Sequence, residues 1–160
     1  MFDPIEIATF AALGVVFAIG VAFLARWAKQ NPARIGAYAL IVVSFLYVGL
    51  AFGSETPNSW VAVEMTGVAI FASAAFVSLM TTPWVVVAGF VGHAAWVFFI
   101  HVKGTGQTFT PPPIAYANIA FDVALALYVS FANWRARKGA PAKAEPQAKG
   151  DRTSRKGRAQ

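Results

Sequence analysis

Three ionisable residues, Glu64, His93 and Asp122, each lie alone in a separate long apolar stretch of the chain. Two carboxylates and an imidazole suit general acid/base chemistry or proton transfer. The same groups are also candidate ligands for zinc or non-haem iron, with a coordination position left open. Because a charge at the centre of a bilayer costs at least about 2.5 kcal/mol, such residues usually face the protein interior and have partners. We therefore predict that these three residues form the functional site, with metal binding left open; the alternative is that hydrogen-bonded pairs among them only hold the helices together.

The stretches that must position these residues are five in number, and each is 19 to 23 residues long. A helix needs roughly 20 residues to cross the hydrocarbon core of a bilayer. Proline and asparagine separate the stretches, as expected for connections between helices. The predicted spans are residues 5–27, 35–53, 60–80, 84–102 and 114–134. The fold class is therefore all-α, an integral membrane bundle of five transmembrane helices, in a domain of residues 1–134.

Composition supports a membrane protein, since 58% of the residues are hydrophobic and only 12% are charged. Soluble domains have roughly 45 to 50% apolar and about 25% charged residues. The chain has no cysteine, which excludes disulfides, thiolate metal sites and thiol nucleophiles. Motifs that bind nucleotides or carry a serine nucleophile are also missing from the sequence. The sequence predicts no particular cofactor.

The net charge of +6 is concentrated in residues 135–160, which carry +7, whereas residues 1–134 carry −1. These last residues are rich in Ala, Lys, Pro and Gly without apolar periodicity, so we predict a disordered basic tail. Such a tail favours contact with anionic lipids over a nucleic-acid partner. Twelve of the thirteen Lys and Arg residues fall on the side of the first loop and the tail. The positive-inside rule then predicts an inner-membrane protein with its N-terminus outside and its C-terminus in the cytoplasm.

Helix geometry places the three ionisable residues in the outer half of the membrane. Glu64 lies about 6 Å and Asp122 about 12 Å below the outer ends of their helices, while His93 is near the middle. Tyr47 is at a similar depth, Asn118 shares a helix face with Asp122, and Trp96 shares one with His93. Further candidates for ligand or proton binding are thus Tyr47, Asn118 and Trp96. We expect the side chains of Glu64, His93 and Asp122 to face inward, with at least two of them in hydrogen-bond or single-water reach.

Two outer features are expected to have plain roles. His101 follows His93 by eight residues and precedes Lys103, so it is expected at the outer rim in contact with solvent. The loop of residues 103–113 is the only sizeable outer connection. It is expected to be a connector, although its glycines could allow it to cap a pocket.

The chain from Ala39 to about Phe131 resembles a family of small bacterial integral membrane proteins that is classified only as a domain of unknown function. The resemblance implies the same helical membrane fold and the same polar residues, without an activity. In that family an acidic residue follows the tryptophan, whereas this chain has Val97. The residues that carry the resemblance are Tyr47-Val48-Gly49, Val63-Glu64, Gly67-Val68-Ala69, Gly92-His93-Ala94-Ala95-Trp96, His101 and Phe121-Asp122.

These observations favour a polytopic membrane protein with an intramembrane polar pocket that binds or passes a small ligand or a proton. One alternative is a membrane enzyme with acid/base or metal chemistry on a lipophilic substrate. Another is an accessory subunit of a larger membrane complex, with a membrane protein partner or a second copy of the chain beside it. The sequence leaves these alternatives open.

Overall fold

The computed structural model describes residues 3–139, and every regular element within that range is helical. A π-helical turn, Phe98–Val102, and a 3-10 turn, Thr105–Thr108, lie between the last two α-helices. The α-helices are α1 Pro4–Trp27, α2 Pro32–Ser44, α3 Leu46–Ala51, α4 Pro57–Met80, α5 Pro83–Val97 and α6 Pro112–Gly139.

Five helical segments of the described chain are long and apolar enough to cross a membrane. The second segment consists of α2 and α3, and the fourth consists of α5 with its π-helical turn. The predictions of an all-α fold with five spans and of a bilayer environment are therefore confirmed. The chain is a multi-pass membrane protein.

Proline determines where these spans begin, because each of them has proline as its first residue. The proline ring fixes φ near the helical value, and the missing N–H would have no partner in the first turn. Side chains cap several of these starts. Asp3 accepts a bond from the backbone N–H of Ile5 at 3.0 Å, and Asn31 accepts one from Ala33 at 2.9 Å. The loop residues thus set the register of the spans.

The second span is interrupted at Phe45, between α2 and α3. The Phe45 N–H donates to the carbonyl of Val42, three residues back, instead of to Ile41. The Ser44 hydroxyl takes up the freed carbonyl of Ile41, to which it donates at 2.8 Å. Because the backbone groups keep partners, the break is tolerated inside an apolar environment.

Helix α6 packs against α1 and α5, while α2 packs against α4. The core between them is made mainly of small and aliphatic side chains with Phe71 and Phe90, and Tyr128 packs against it with its hydroxyl donating to the carbonyl of Ala22 at 3.4 Å. Large apolar side chains such as Phe17, Phe23 and Leu127 point outward and are about two-thirds exposed. Such an apolar exterior suits lipid.

Charges divide the bundle into two ends. We call the end where α1, α4 and α6 finish the basic end. It carries six of the seven basic side chains within residues 3–139, and the described acidic residues all lie elsewhere. We call the other the opposite end. Helix α6 continues to Gly139, five residues beyond the predicted last span. The remainder of the predicted disordered tail, residues 140–160, lies outside the described residues.

Candidate functional site

A buried imidazole–carboxylate pair joins α5 to α6. His93 Nδ1 lies 2.8 Å from Asp122 Oδ2, and the two side chains are 1% and 0% exposed. Asn118, one turn earlier on α6, donates from Nδ2 to the same oxygen at 2.8 Å. The other oxygen of Asp122, Oδ1, is buried without a hydrogen-bond partner among the described residues. Oδ2 of Asp122 therefore makes two polar contacts, while Oδ1 makes no hydrogen bond within the described residues.

A second pair joins α4 to the π-helical turn. His101 Nε2 lies 3.3 Å from Glu64 Oε1, and both side chains are at most 2% exposed. Neither atom makes a hydrogen bond in the described chain, so the two atoms are close to each other without hydrogen-bond geometry. The other ring nitrogen of His101, Nδ1, lies 2.9 Å from the Thr110 hydroxyl. Each histidine of the chain therefore faces one of the two intramembrane carboxylates.

Trp96 supports the second pair from α5. Its indole Nε1 donates to Glu64 Oε2 at 3.4 Å. The ring lies over Gly67, where an added Cβ would come within 3.1 Å of it. A glycine one turn after Glu64 thus gives the indole room to reach the carboxylate.

Tyr47 connects the two pairs through its ring. It stacks on His101 with the centroids 4.1 Å apart and meets His93 edge-on at 6.3 Å. The side chain is completely buried, and its hydroxyl has no hydrogen-bond partner in residues 3–139. Phe71 closes the other side of His93 with an edge contact at 4.9 Å. We call the set of Tyr47, Glu64, His93, Trp96, His101, Thr110, Asn118 and Asp122 the buried cluster.

The π-helical turn helps to place His101 in the buried cluster. In this turn the N–H of Lys103 donates to the carbonyl of Phe98, five residues earlier. The wider turn changes the direction of the side chains that follow, relative to an α-helix. The loop then covers the ring, since an added Cβ on Gly106 would lie 2.7 Å from His101 Nδ1. Phe109 meets the ring edge-on at 5.6 Å.

The predicted geometry is confirmed for the main trio, because Glu64, His93 and Asp122 are buried and His93 and Asp122 are in hydrogen-bond contact. Tyr47, Asn118 and Trp96 contact the same residues, as described above. The trio does not form a single group, since Glu64 pairs with His101. Among residues 3–139 no group of three or more His, Cys, Asp or Glu residues is arranged to hold a metal ion.

The expectation that His101 contacts solvent was wrong, because the loop of residues 103–113 covers its ring and leaves it 2% exposed. Thr110 was not predicted as a site residue, because its burial also depends on how the loop folds. The sequence around a threonine that follows a glycine-rich loop does not indicate burial. One available signal was the repetition of histidine in a single span that has no other ionisable residue. In a chain with only two histidines, that repetition could have linked His101 to His93.

Asn118 also connects the buried cluster to the surface of the bundle. It lines a groove of about 910 Å³ between α1, α2 and α6. The other residues lining this groove are apolar, including Phe17, Val42 and Phe121. The groove therefore faces lipid chains and meets the cluster at one amide.

A smaller cavity of about 380 Å³ lies at the basic end, between the α1–α2 loop, the start of α5 and the end of α6. Its polar lining residues are Lys29, Gln30, Asn31 and Asn133. It is separate from the buried cluster, whose residues do not line it.

Compared with models of protein families, with curated proteins and with solved structures, the chain matches none of them. The resemblance to the family of small bacterial membrane proteins therefore stays a prediction, and the residues of the buried cluster carry the functional argument.

Proposed function

We propose that this chain is an inner-membrane protein that binds protons within the bilayer, at the two carboxylate–imidazole pairs of the buried cluster. The observation that carries the proposal is the 2.8 Å contact between His93 Nδ1 and Asp122 Oδ2. A proton between these atoms can belong to the imidazole or to the carboxyl group without a change in their positions. Intramembrane carboxylates and histidines serve this purpose in proton relays.

The second pair supports the proposal because the protonation of one pair can influence the protonation of a pair beside it. Tyr47 lies between the imidazoles, in ring contact with both. In a low-dielectric interior, charges separated by a single aromatic ring influence one another strongly. The two pairs are therefore expected to titrate as one coupled system. Proton binding at one pair would then alter proton occupancy at the other.

Enclosure of the buried cluster favours a proton over a larger ligand. The four side chains of the two pairs are at most 2% exposed. A small molecule would need to separate helices to reach them, whereas a proton needs no cavity. The lipid-facing groove offers only the amide of Asn118.

Proton exchange is proposed to take place through the opposite end, which we assign to the outside of the cell. Thr110, in the loop at that end, contacts His101. Toward the basic end, the described core has no buried carboxylate or imidazole to continue a relay. The proposed orientation follows the positive-inside rule, with the basic end in the cytoplasm. Passage of a proton across the whole membrane would therefore require a conformational change.

The chain offers a direct test, since its only histidines are His93 and His101. The protein is labelled with nitrogen-15 at histidine and placed in lipid nanodiscs, where NMR detects the signals of two imidazoles. The variants His93→Gln and His101→Gln show which signal belongs to which histidine. We expect both rings to change protonation or tautomer as the pH is varied. We also expect Glu64→Gln to alter the titration of His93 as well as that of His101.

Glu55→Gln is the control, because Glu55 is exposed and makes no contact with the buried cluster. It should leave both titrations unchanged. Imidazole signals that stay constant from about pH 5 to pH 9, around the ordinary histidine range, would refute proton binding. The pairs would then serve only to hold the helices together.

A further inference from the structure

The cavity at the basic end has the polarity of an anion site. The cavity is lined by Lys29, by the amide side chains of Gln30 and Asn133, and by Asn31, which caps α2. Arg26 and Arg34 flank the same loop, and none of these three cations pairs with another group within residues 3–139. The described acidic residues lie elsewhere in the bundle. The cavity thus combines an unneutralised positive charge with neutral hydrogen-bonding groups.

Asn133 contributes an unused donor to this cavity. Its amide nitrogen is buried and has no hydrogen-bond partner in the described chain. Buried polar groups without partners are uncommon in folded proteins and call for an explanation. Rotation of the amide toward the cavity would give this N–H an acceptor if an anion were present.

Lys29 occupies a backbone conformation that glycine would adopt at lower cost. Its φ is 52°, and it is the one non-glycine residue with positive φ in the described chain. The turn ends α1 in a common way, with the Gln30 N–H donating to the carbonyl of Ala25 at 2.9 Å. A lysine at this position brings a positive charge to the mouth of the cavity at some conformational cost.

The other basic side chains at this end differ from Lys29, because several of them lie over aromatic rings. Arg137 lies over Trp84, and Lys138 over Trp134 at 4.0 Å. These contacts hold cations near the membrane interface without lining the cavity. Lys29 is therefore the one lysine or arginine among the described residues that lines the cavity.

We propose that this cavity binds a phosphate-bearing anion, with Lys29 supplying the charge and Asn133 the neutral donor. Phosphate oxygens accept bonds from both kinds of group, and basic pockets between membrane helices are suited to anionic headgroups. The anion can be the headgroup of an anionic phospholipid or a soluble phosphate. Its binding is independent of the proton chemistry of the buried cluster.

Binding is tested with the full chain in mild detergent by native mass spectrometry. Phosphatidylglycerol is compared with phosphatidylcholine, and inorganic phosphate is added as a competitor. We expect one phosphatidylglycerol to bind preferentially, and Lys29→Gln to weaken it by about tenfold, which corresponds to one lost charge-assisted contact. Asn133→Leu should also weaken binding. Competition by inorganic phosphate would identify a soluble anion, and its failure to compete would identify the lipid headgroup.

Lys138→Gln is the matched control, since it removes the same charge at the same end without altering the cavity. It should change affinity by less than about twofold, as is usual for an exposed charge. Lys29→Gly separates binding from folding, because glycine fits the positive φ while the charge is lost. It should bind as weakly as Lys29→Gln and unfold at the same or a higher temperature. Equal losses in Lys29→Gln and Lys138→Gln would overturn the proposal, as would equal binding of the two lipids together with no binding of inorganic phosphate.

Discussion

Asp122 is the residue on which the buried cluster depends most. Its Oδ2 contacts both His93 and Asn118 at 2.8 Å, while Oδ1 has no partner in the described chain. The Tyr47 hydroxyl is likewise buried and unpaired. Two unsatisfied groups beside one buried imidazole–carboxylate pair would be costly in a purely structural contact. Their presence agrees better with a group whose protonation changes during function.

The coupling between His93 and Asp122 can be measured by a double-mutant cycle. Asp122→Leu should lower the free energy of unfolding by about 3 kcal/mol, because it leaves a buried imidazole without its carboxylate. His93→Leu should have a similar effect for the converse reason. In the double variant, the free energy of unfolding should fall by less than the sum of the two single effects. The difference should be at least about 1 kcal/mol.

These free energies are measured by denaturant unfolding in mixed micelles at constant pH. Glu55→Gln provides the baseline for an exposed carboxylate and should change stability by less than about 0.5 kcal/mol. Strict additivity of the two leucine substitutions would mean that the 2.8 Å contact contributes no coupling.

At the scale of the element, irregular helix geometry accompanies the buried cluster. The break at Phe45 precedes α3, which carries Tyr47, and the π-helical turn carries His101. The two rings stack at 4.1 Å, so the irregular parts of the second and fourth spans meet here. Single π-helical turns occur frequently at functional sites, because they re-aim side chains at some cost in stability.

Helix α1 is attached to the bundle by a narrow strip of small residues. Its buried residues are Gly14, Ala18 and Ala25. An added Cβ on Gly14 would overlap the backbone carbonyl of Ala117 on α6. Such close approach of backbones is the usual way for small residues to hold membrane helices together.

Two glycines on α1 provide a matched test of this packing. Gly14→Ala should lower the free energy of unfolding by about 1 to 3 kcal/mol, because backbone atoms of α6 must move. Gly20→Ala should be neutral or stabilising by up to about 1 kcal/mol, since alanine favours helix. Gly20 has nothing within 4 Å of its added Cβ. Thermal unfolding in detergent distinguishes the two, and similar effects would contradict this arrangement of α1 and α6.

At the scale of the whole molecule, charge and polarity are arranged along the bundle axis. One end carries six described cations, and the other half contains both buried carboxylates. The apolar core lies toward the basic end. In the orientation that we propose from the positive-inside rule, the proposed proton exchange takes place with the outside and the proposed anion cavity faces the cytoplasm.

This orientation is tested with single cysteines, because the natural chain has none. Glu55→Cys lies in a loop at the opposite end, and Gln30→Cys lies in the loop at the basic end. A membrane-impermeant maleimide added to intact cells should label Glu55→Cys, and should label Gln30→Cys only after permeabilisation. The reverse pattern would invert the proposed topology, while the contacts inside the bundle would be unaffected.

The sequence by itself determined the number of spans, their boundaries to within five residues, and most residues of the buried cluster. These properties are local, because a bilayer requires about 20 apolar residues per helix, and proline is tolerated in the first turn of a helix but disfavoured in its interior. The cost of a charge in lipid then indicated that Glu64, His93 and Asp122 face inward. Within the described residues, the structure agrees with each of these inferences.

Only the tertiary structure decided which of these residues are partners. Periodicity gives the depth of a side chain but not the rotation of its helix about its own axis, so the trio could not be divided into pairs. Packing at close backbone contacts sets those rotations, and it brings Asp122 to His93 and Glu64 to His101. The burial of His101 depends on a π-helical turn and on a loop that folds over it, and both result from contacts distant in sequence.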